Sequence, residues 1–132
     1  MTWLYVALGS AIGGALRYWT VKGVDALAGG PFPWGTLVVN VVGSMVLGVI
    51  LALFSLEHRW TVTDAQWRQF LVVGVFGGFT TFSTFSVQTL ALIQAGAVWH
   101  AAANALASVA LCVGGAALGW RLGLMVAAAT QS

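Results

Sequence analysis

A run of hydroxyl and phenyl side chains interrupts a stretch of sequence that is otherwise apolar enough to cross a membrane. Residues 79–86 read FTTFSTFS, so five hydroxyls and three phenyl rings follow the glycines Gly74, Gly77 and Gly78. An unpaired polar group in the hydrocarbon of a bilayer costs several kcal/mol, so such residues are expected where protein or water surrounds them. The pattern therefore indicates the lining of a pore or a binding site.

The donors in this run favour a small anion as the ligand. Phe82 and Phe85 are three residues apart and share one face of a helix, and the edge of a phenyl ring carries partial positive charge. Cation pathways usually carry rings of Asp or Glu, whereas no carboxylate falls inside a predicted span here, and neutral donors can still release an ion. The polar candidates, all hydrogen-bond donors, are Thr80, Thr81, Ser83, Thr84, Ser86 and, in the second apolar segment, Asn40.

Each of these features also has a purely structural interpretation. Two phenylalanines at helical spacing are more often core packing than a site, hydroxyls in membrane helices often bond to their own carbonyls, and Asn40 could bridge two helices. The glycines favour the functional interpretation, because glycine-rich sequence in mid-span predicts a helix break near residues 77–81. A break exposes backbone carbonyls that can coordinate a cation such as Na+.

The composition predicts an all-α integral membrane protein. The chain has 132 residues, of which 60% are hydrophobic and 6% charged, whereas soluble domains carry about 25% charged residues. The net charge of +2 and the lack of a basic run argue against a nucleic-acid partner, and no arrangement of residues indicates an enzyme. We expect one transmembrane domain over residues 1–132, with four spans of about 20 residues or more at about 3–20, 34–56, 67–95 and 98–128.

The charges between the predicted spans specify almost no orientation. With the N-terminus in the cytoplasm, Arg59, Arg68 and Arg121 lie on that side and Arg17 and Lys22 on the other, so the positive-inside bias is minimal. Insertion in both directions is therefore expected, and two opposed copies can form an antiparallel dual-topology dimer. Alternatively, the charges of one loop dominate and fix a single orientation. Small residues four apart allow close helix contact, within or between chains: Gly9 and Gly13, Ser44 and Gly48, and Gly115, Gly119 and Gly123.

Three segments of the chain resemble the motifs of one known family. Residues 74–86 (GVFGGFTTFSTFS) resemble the signature of the Fluc (CrcB) fluoride channels. Residues 35–40 (GTLVVN) and 13–18 (GGALRY) look like the second-helix and first-helix motifs of that family. The resemblance covers nearly the whole chain. It implies dual-topology dimers in the plasma membrane, expected to be a prokaryotic inner membrane, with two interfacial pores that export fluoride passively and protect the cell.

The resemblance also implies roles for individual residues. Phe82 and Phe85 match the paired pore phenylalanines of the family, and Asn40 matches its pore asparagine. Arg17 matches an arginine near the aqueous vestibule. Thr81, Ser83 and Thr84 fall in the hydroxyl-bearing part of the third-helix motif. Ser108, one turn before Cys112 in the fourth span, is a further candidate hydroxyl for the pore.

A structural Na+ at the centre of the dimer is a further implication, held by the backbone carbonyls of Gly77 and Thr80. The chain departs from the family pattern at three positions: Gln88 stands where a glutamate is common, and Cys112 and Ala116 stand where a serine and a threonine are common. These departures keep open the alternative of a non-conducting or partner-requiring subunit of a heterodimeric channel. A small proton-coupled exporter is a third possibility, but it requires a carboxylate within a span.

Overall fold

The part of the chain that the structure describes is helical and contains no strand. A computed structural model describes residues 2–56 and 62–129. Arg59, one of the charges considered for orientation, lies outside these residues. The elements in order are α1 (Thr2–Ala28), α2 (Trp34–Leu56), α3 (Val62–Arg68), a π-helical segment (Gln69–Phe76), α4 (Gly77–Phe79), α5 (Phe82–Gln94) and α6 (Val98–Ala129).

Three helical stretches are long and apolar enough to cross a membrane, namely Trp34–Ser55, Ala65–Gln94 and Val98–Ala129. The remaining helix, α1, has 27 residues and therefore sufficient length at 1.5 Å per residue. Large apolar side chains are widely exposed, as at Trp99, which is 88% exposed. Apolar exposure on this scale suits contact with lipid rather than with water, so the fold is that of a multi-pass helical membrane protein.

Glycines bring α1 directly against the backbone of the third membrane segment. A Cβ atom added at Gly9 would lie 2.8 Å from the Cα of Gly74, and one added at Gly78 would lie 2.9 Å from the Cα of Ser10. Gly77 itself is helical, with φ −63° and ψ −36°. Gly74 and Gly78 thus permit close packing on α1, and the break falls just after the glycines, at Thr80 and Thr81, within the predicted range of residues 77–81.

The other small residues bring α2 against α6 within the same chain. A Cβ added at Gly48 would lie 2.9 Å from the backbone nitrogen of Trp120, and one added at Gly123 would lie 2.7 Å from the carbonyl oxygen of Val49. Gly119 lies directly against the backbone of Met45. The spacing left open whether these small residues serve contacts within one chain or between chains. The structure assigns these glycines to packing within one chain.

Tight turns set the helices side by side. Gly96 ends α5 with φ +75°, and the N–H of Ala97 donates to the carbonyl of Leu92 at 2.8 Å, which is the Schellman pattern of a helix C-terminus. Between α1 and α2, the backbone N–H of Gly35 donates to the Oδ1 of Asp25 at 2.7 Å. The break in the third segment lies beside the N-terminal half of α2, where Asn40 contacts Thr81 and Gly43 contacts Thr80.

Candidate functional site: a helix break between two grooves

The third membrane segment is interrupted at Thr80 and Thr81, inside the predicted range. Both residues are extended, with φ −79° and ψ 157° at Thr80 and φ −154° and ψ 111° at Thr81. Thr81 then starts α5 as its N-cap, because its Oγ1 accepts a hydrogen bond from the backbone N–H of Thr84 at 3.2 Å. Threonine is one of the residues preferred at this position.

Asn40 on α2 compensates for the backbone hydrogen bonds that the break removes. Its Nδ2 donates to the carbonyl of Thr81 at 3.0 Å, and its Oδ1 accepts from the N–H of Thr81 at 2.8 Å. In a continuous helix that N–H would donate to the carbonyl of Gly77. Asn40 therefore bridges two helices, as the structural interpretation proposed. It also retains a second amide hydrogen, since Nδ2 carries two.

The five hydroxyls of the motif divide into two groups. Thr80 and Ser86 each donate to the carbonyl four residues earlier, at 3.0 and 2.9 Å, so their hydrogens are already used. Thr81 donates to the Oγ1 of Thr84 at 2.9 Å and lies 3.2 Å from the Oγ of Ser83. Only the second group forms a cluster of side chains beside the break.

A groove of about 350 Å³ opens on one side of the break. We call it the phenyl groove, because Phe82 and Phe85 line it with their ring centroids 5.3 Å apart and their planes inclined by 46°. Phe82 is 77% exposed. None of the lining residues is charged. The groove gathers five of the predicted pore residues and adds one thiol: Asn40, Thr81, Phe82, Phe85, Ser108 and Cys112.

Ser108 on α6 is the least satisfied polar group of the phenyl groove. It is only 8% exposed, and its Oγ has no hydrogen-bond partner among the described residues. Buried hydroxyls are normally paired with protein or water, so this hydroxyl is available to a ligand in the groove. Across from it, Ser44 on α2 lines the same groove. Ser44 was missed as a lining residue, although it lies four residues after Asn40 and so shares its helix face.

A second groove of about 330 Å³ lies on the other side of the break. We call it the basic groove, because Arg17 and Lys22 line it together with Thr81 and Thr84, and no carboxylate does so. The Nζ of Lys22 lies 5.6 Å from the ring centroid of Tyr18. A cleft lined by one sign of charge raises the local concentration of counter-ions. Thr81 lines both grooves and therefore stands between them.

Three residues singled out in the sequence lie elsewhere. Ser83 is exposed and lines neither groove. Ala116 does not line the phenyl groove, and its backbone carbonyl lies against Gly48. Gln88 lines a separate depression beside Asp25, and its buried Oε1 has no partner among the described residues.

The end of α4 offers backbone oxygen atoms that suit a hard cation. The last carbonyls of a helix lack N–H partners. The N–H of Thr81, which would donate to the carbonyl of Gly77 in a continuous helix, donates to Asn40 instead. The carbonyl of Thr80 lies 3.4 Å from the Nη1 of Arg17, so a cation there would share this oxygen with a guanidinium. Oxygen ligands of this kind fit Na+. Within residues 2–56 and 62–129, no group of three or more His, Cys, Asp or Glu could hold a metal.

The fold and the site together define a multi-pass membrane protein whose polar groups meet at a helix break between two open grooves. The sequence model of the family described as "CrcB-like protein, Camphor Resistance (CrcB)" matches residues 4–120. This chain belongs to that family, which confirms the resemblance found in its motifs.

Curated relatives extend over most of the chain. It is 51% identical over 113 residues to a protein of Paramagnetospirillum magneticum (86% of this chain and 88% of the relative). It is 49% identical over 119 residues to one of Rhodospirillum rubrum (90% and 92%) and 46% identical over 123 residues to one of Coxiella burnetii (93% and 98%). Each relative is named "Fluoride-specific ion channel FluC". Because an ion channel is not an enzyme, these names agree with the expectation that the chain is not an enzyme.

Proposed function

We propose that this chain forms a fluoride-selective channel that lets fluoride leave the cell passively. The observation that carries the proposal is the phenyl groove, where uncharged donors and two phenyl rings surround a space at the helix break. The relatives named as fluoride-specific channels supply the identity of the ion. Protection of the cell from accumulated fluoride is the corresponding biological role.

The groove provides donors that can replace the hydration shell of a small anion. The second amide hydrogen of Asn40 and the hydroxyl of Ser108 are available, and the ring edges of Phe82 and Phe85 add weak positive potential. Because none of these groups carries a full charge, the ion is held weakly enough to leave, which conduction requires. Arg17, in the basic groove, raises the concentration of anions beside the break.

The size of the phenyl groove supports pairing with a second chain. At about 30 Å³ per water molecule, 350 Å³ corresponds to about twelve waters, far more space than one fluoride ion fills. The exposed ring of Phe82 borders this space. We infer that a second copy in the opposite orientation covers the groove, so that the dimer has two equivalent pores.

Three further points complete the proposed assembly. The helix α1 forms the fourth span, so each chain crosses the bilayer four times. Carbonyl oxygens of Gly77 and Thr80 hold a structural Na+ at the centre of the dimer. The plasma membrane of a prokaryotic cell is the proposed location.

The decisive experiment is fluoride efflux from liposomes that contain this chain alone, followed with a fluoride electrode, with chloride efflux as the selectivity control. Phe82→Ile and Phe85→Ile are each expected to reduce the rate by about tenfold or more, equivalent to about 1.4 kcal/mol of barrier. Phe32→Ile is the matched control, because Phe32 does not line the phenyl groove. It lies in the turn before α2, with its ring centroid 4.5 Å from that of Trp34. Normal fluoride efflux in both pore variants would contradict the assignment.

A partner-requiring subunit is the alternative. The buried Oε1 of Gln88, which has no partner among the described residues, is a polar group that a different chain could satisfy. In that case folded protein would give no flux by itself and would conduct only after reconstitution with a second, similar chain.

A further inference from the structure

The phenyl groove contains the only cysteine of the chain, and the proposed conduction makes no use of its sulfur. Cys112 on α6 is half-buried. It lines the groove together with Phe82, Phe85 and, on α2, Ser44. The thiol is thus the one strongly nucleophilic side chain among the residues that line the groove.

Ser108 provides independent evidence that the space around this thiol holds water. Ser108 precedes Cys112 by four residues and so lies on the same face of α6. Its hydroxyl is more than nine-tenths buried and has no partner among the described residues. A buried polar atom of this kind is normally satisfied by water where the cavity is large enough, and the groove is large enough for about twelve waters.

Water at the thiol determines its chemistry. The reactive form of cysteine is the thiolate, which forms where solvent or a positive charge stabilises it and not in hydrocarbon. A cysteine of α6 that faces lipid should therefore react slowly, whereas one that faces a hydrated groove should react quickly, even at the same depth.

We propose that Cys112 is a covalent modification site for small, neutral, thiol-reactive electrophiles that enter through the groove, and that modification blocks the ion path. With methyl methanethiosulfonate, the sulfur of Cys112 forms a new S–S bond to the methylthio group. The S–S bond of the reagent breaks, and its electron pair and the thiol proton leave as methanesulfinic acid. The added group projects between α2 and α6 and displaces water beside Ser108 and the two phenyl rings.

The first test measures labelling, so it is informative whether or not the chain conducts. Intact protein in liposomes is treated with methyl methanethiosulfonate and the adduct is followed by mass spectrometry. The matched reference is the double variant Cys112→Ser, Leu111→Cys, because Leu111 neighbours Cys112 on α6, is 50% exposed and does not line the groove. Cys112 should react about tenfold faster or more, as expected from a higher thiolate fraction. Equal or slower labelling of Cys112 would overturn the proposal.

The second test measures the block, and this part depends on the proposed channel function. Fluoride efflux of each protein is compared with that of its own untreated sample. Labelling of the native chain should reduce efflux about tenfold, and dithiothreitol should restore it because the disulfide is exchanged. Full labelling with unchanged efflux would refute the block, as would an equal loss in Cys112→Ser. Absence of efflux before treatment would instead count against the proposed function, while the labelling comparison would still decide whether Cys112 is a modification site.

Discussion

Replacement of Asn40 by leucine tests whether the helix break depends on a single side chain. Asn40 makes two hydrogen bonds to the backbone of Thr81, at 3.0 and 2.8 Å. Leucine has a similar size but neither donates nor accepts, so Asn40→Leu leaves one N–H and one carbonyl of Thr81 without partners. Thr81 is itself buried, at 6% exposure, so water reaches these groups poorly.

The expected loss follows from the number of bonds. Side-chain hydrogen bonds in membrane proteins contribute about 0.6 kcal/mol on average and up to about 1.7 kcal/mol each. Two bonds therefore give a decrease of about 1 to 3 kcal/mol in the free energy of unfolding. The upper part of this range is expected here, because groups left unsatisfied in a buried site cost about 1–3 kcal/mol each.

The assay is reversible unfolding in mixed detergent micelles, with Asn104→Leu as the matched control. Asn104 is buried, at 1% exposure, whereas Asn40 is half-buried. Asn104 makes one hydrogen bond, from its Nδ2 to the Oγ1 of Thr89 at 2.8 Å. Thr89 keeps its own bond to the carbonyl of Phe85 at 2.7 Å. The control should therefore lose about half as much stability, since only one bond of ordinary strength is removed.

Two outcomes would refute this reasoning. If Asn40→Leu unfolds with the same free energy as the native chain, the backbone of the break has other partners. If both asparagine variants lose the same amount, the cost arises from replacing a buried amide by an apolar side chain and not from the break.

Two further predictions concern packing and cation binding. Gly119→Ala should lower the free energy of unfolding by about 1–3 kcal/mol, because its Cβ would overlap the backbone of Met45. The control is Gly114→Ala, since nothing lies within 4 Å of a Cβ at this position. This control should leave the free energy of unfolding unchanged or raise it by up to about 1 kcal/mol. Thermal unfolding in detergent measures both, and the opposite order would contradict the packing of α2 on α6. Replacing Na+ by a large organic cation should lower the unfolding midpoint, because an ion that binds only the folded state stabilises it. Arg17→Gln should strengthen this Na+ dependence, since the guanidinium near the carbonyl of Thr80 no longer competes; a midpoint independent of Na+ would argue against the proposed ion.

Several features of the fold could be predicted from local sequence. Long apolar runs with few charges predict helices that suit a bilayer, and the structure is helical in all the elements it describes. Gly96, which follows the third apolar run, predicts a tight link, and the structure has a left-handed glycine there. The break was expected near residues 77–81 because of the glycines, and it lies within that range, at Thr80 and Thr81, after the last of them. Glycine is suited both to the end of a helix and to a close contact between helices, so its presence alone does not distinguish the two.

The sequence by itself determined the class of protein, the family and the set of groups available for chemistry, because hydropathy and motif order are local properties of the chain. Only the tertiary structure decided how those groups are used. Asn40 is 41 residues from Thr81, and no periodicity indicates that its amide would replace the backbone partners of that residue. Ser44, Ser108 and Cys112 meet because the glycines of α6 let that helix approach α2 closely. Which polar atoms remain free for an ion depends on such contacts between helices, which a linear pattern does not contain.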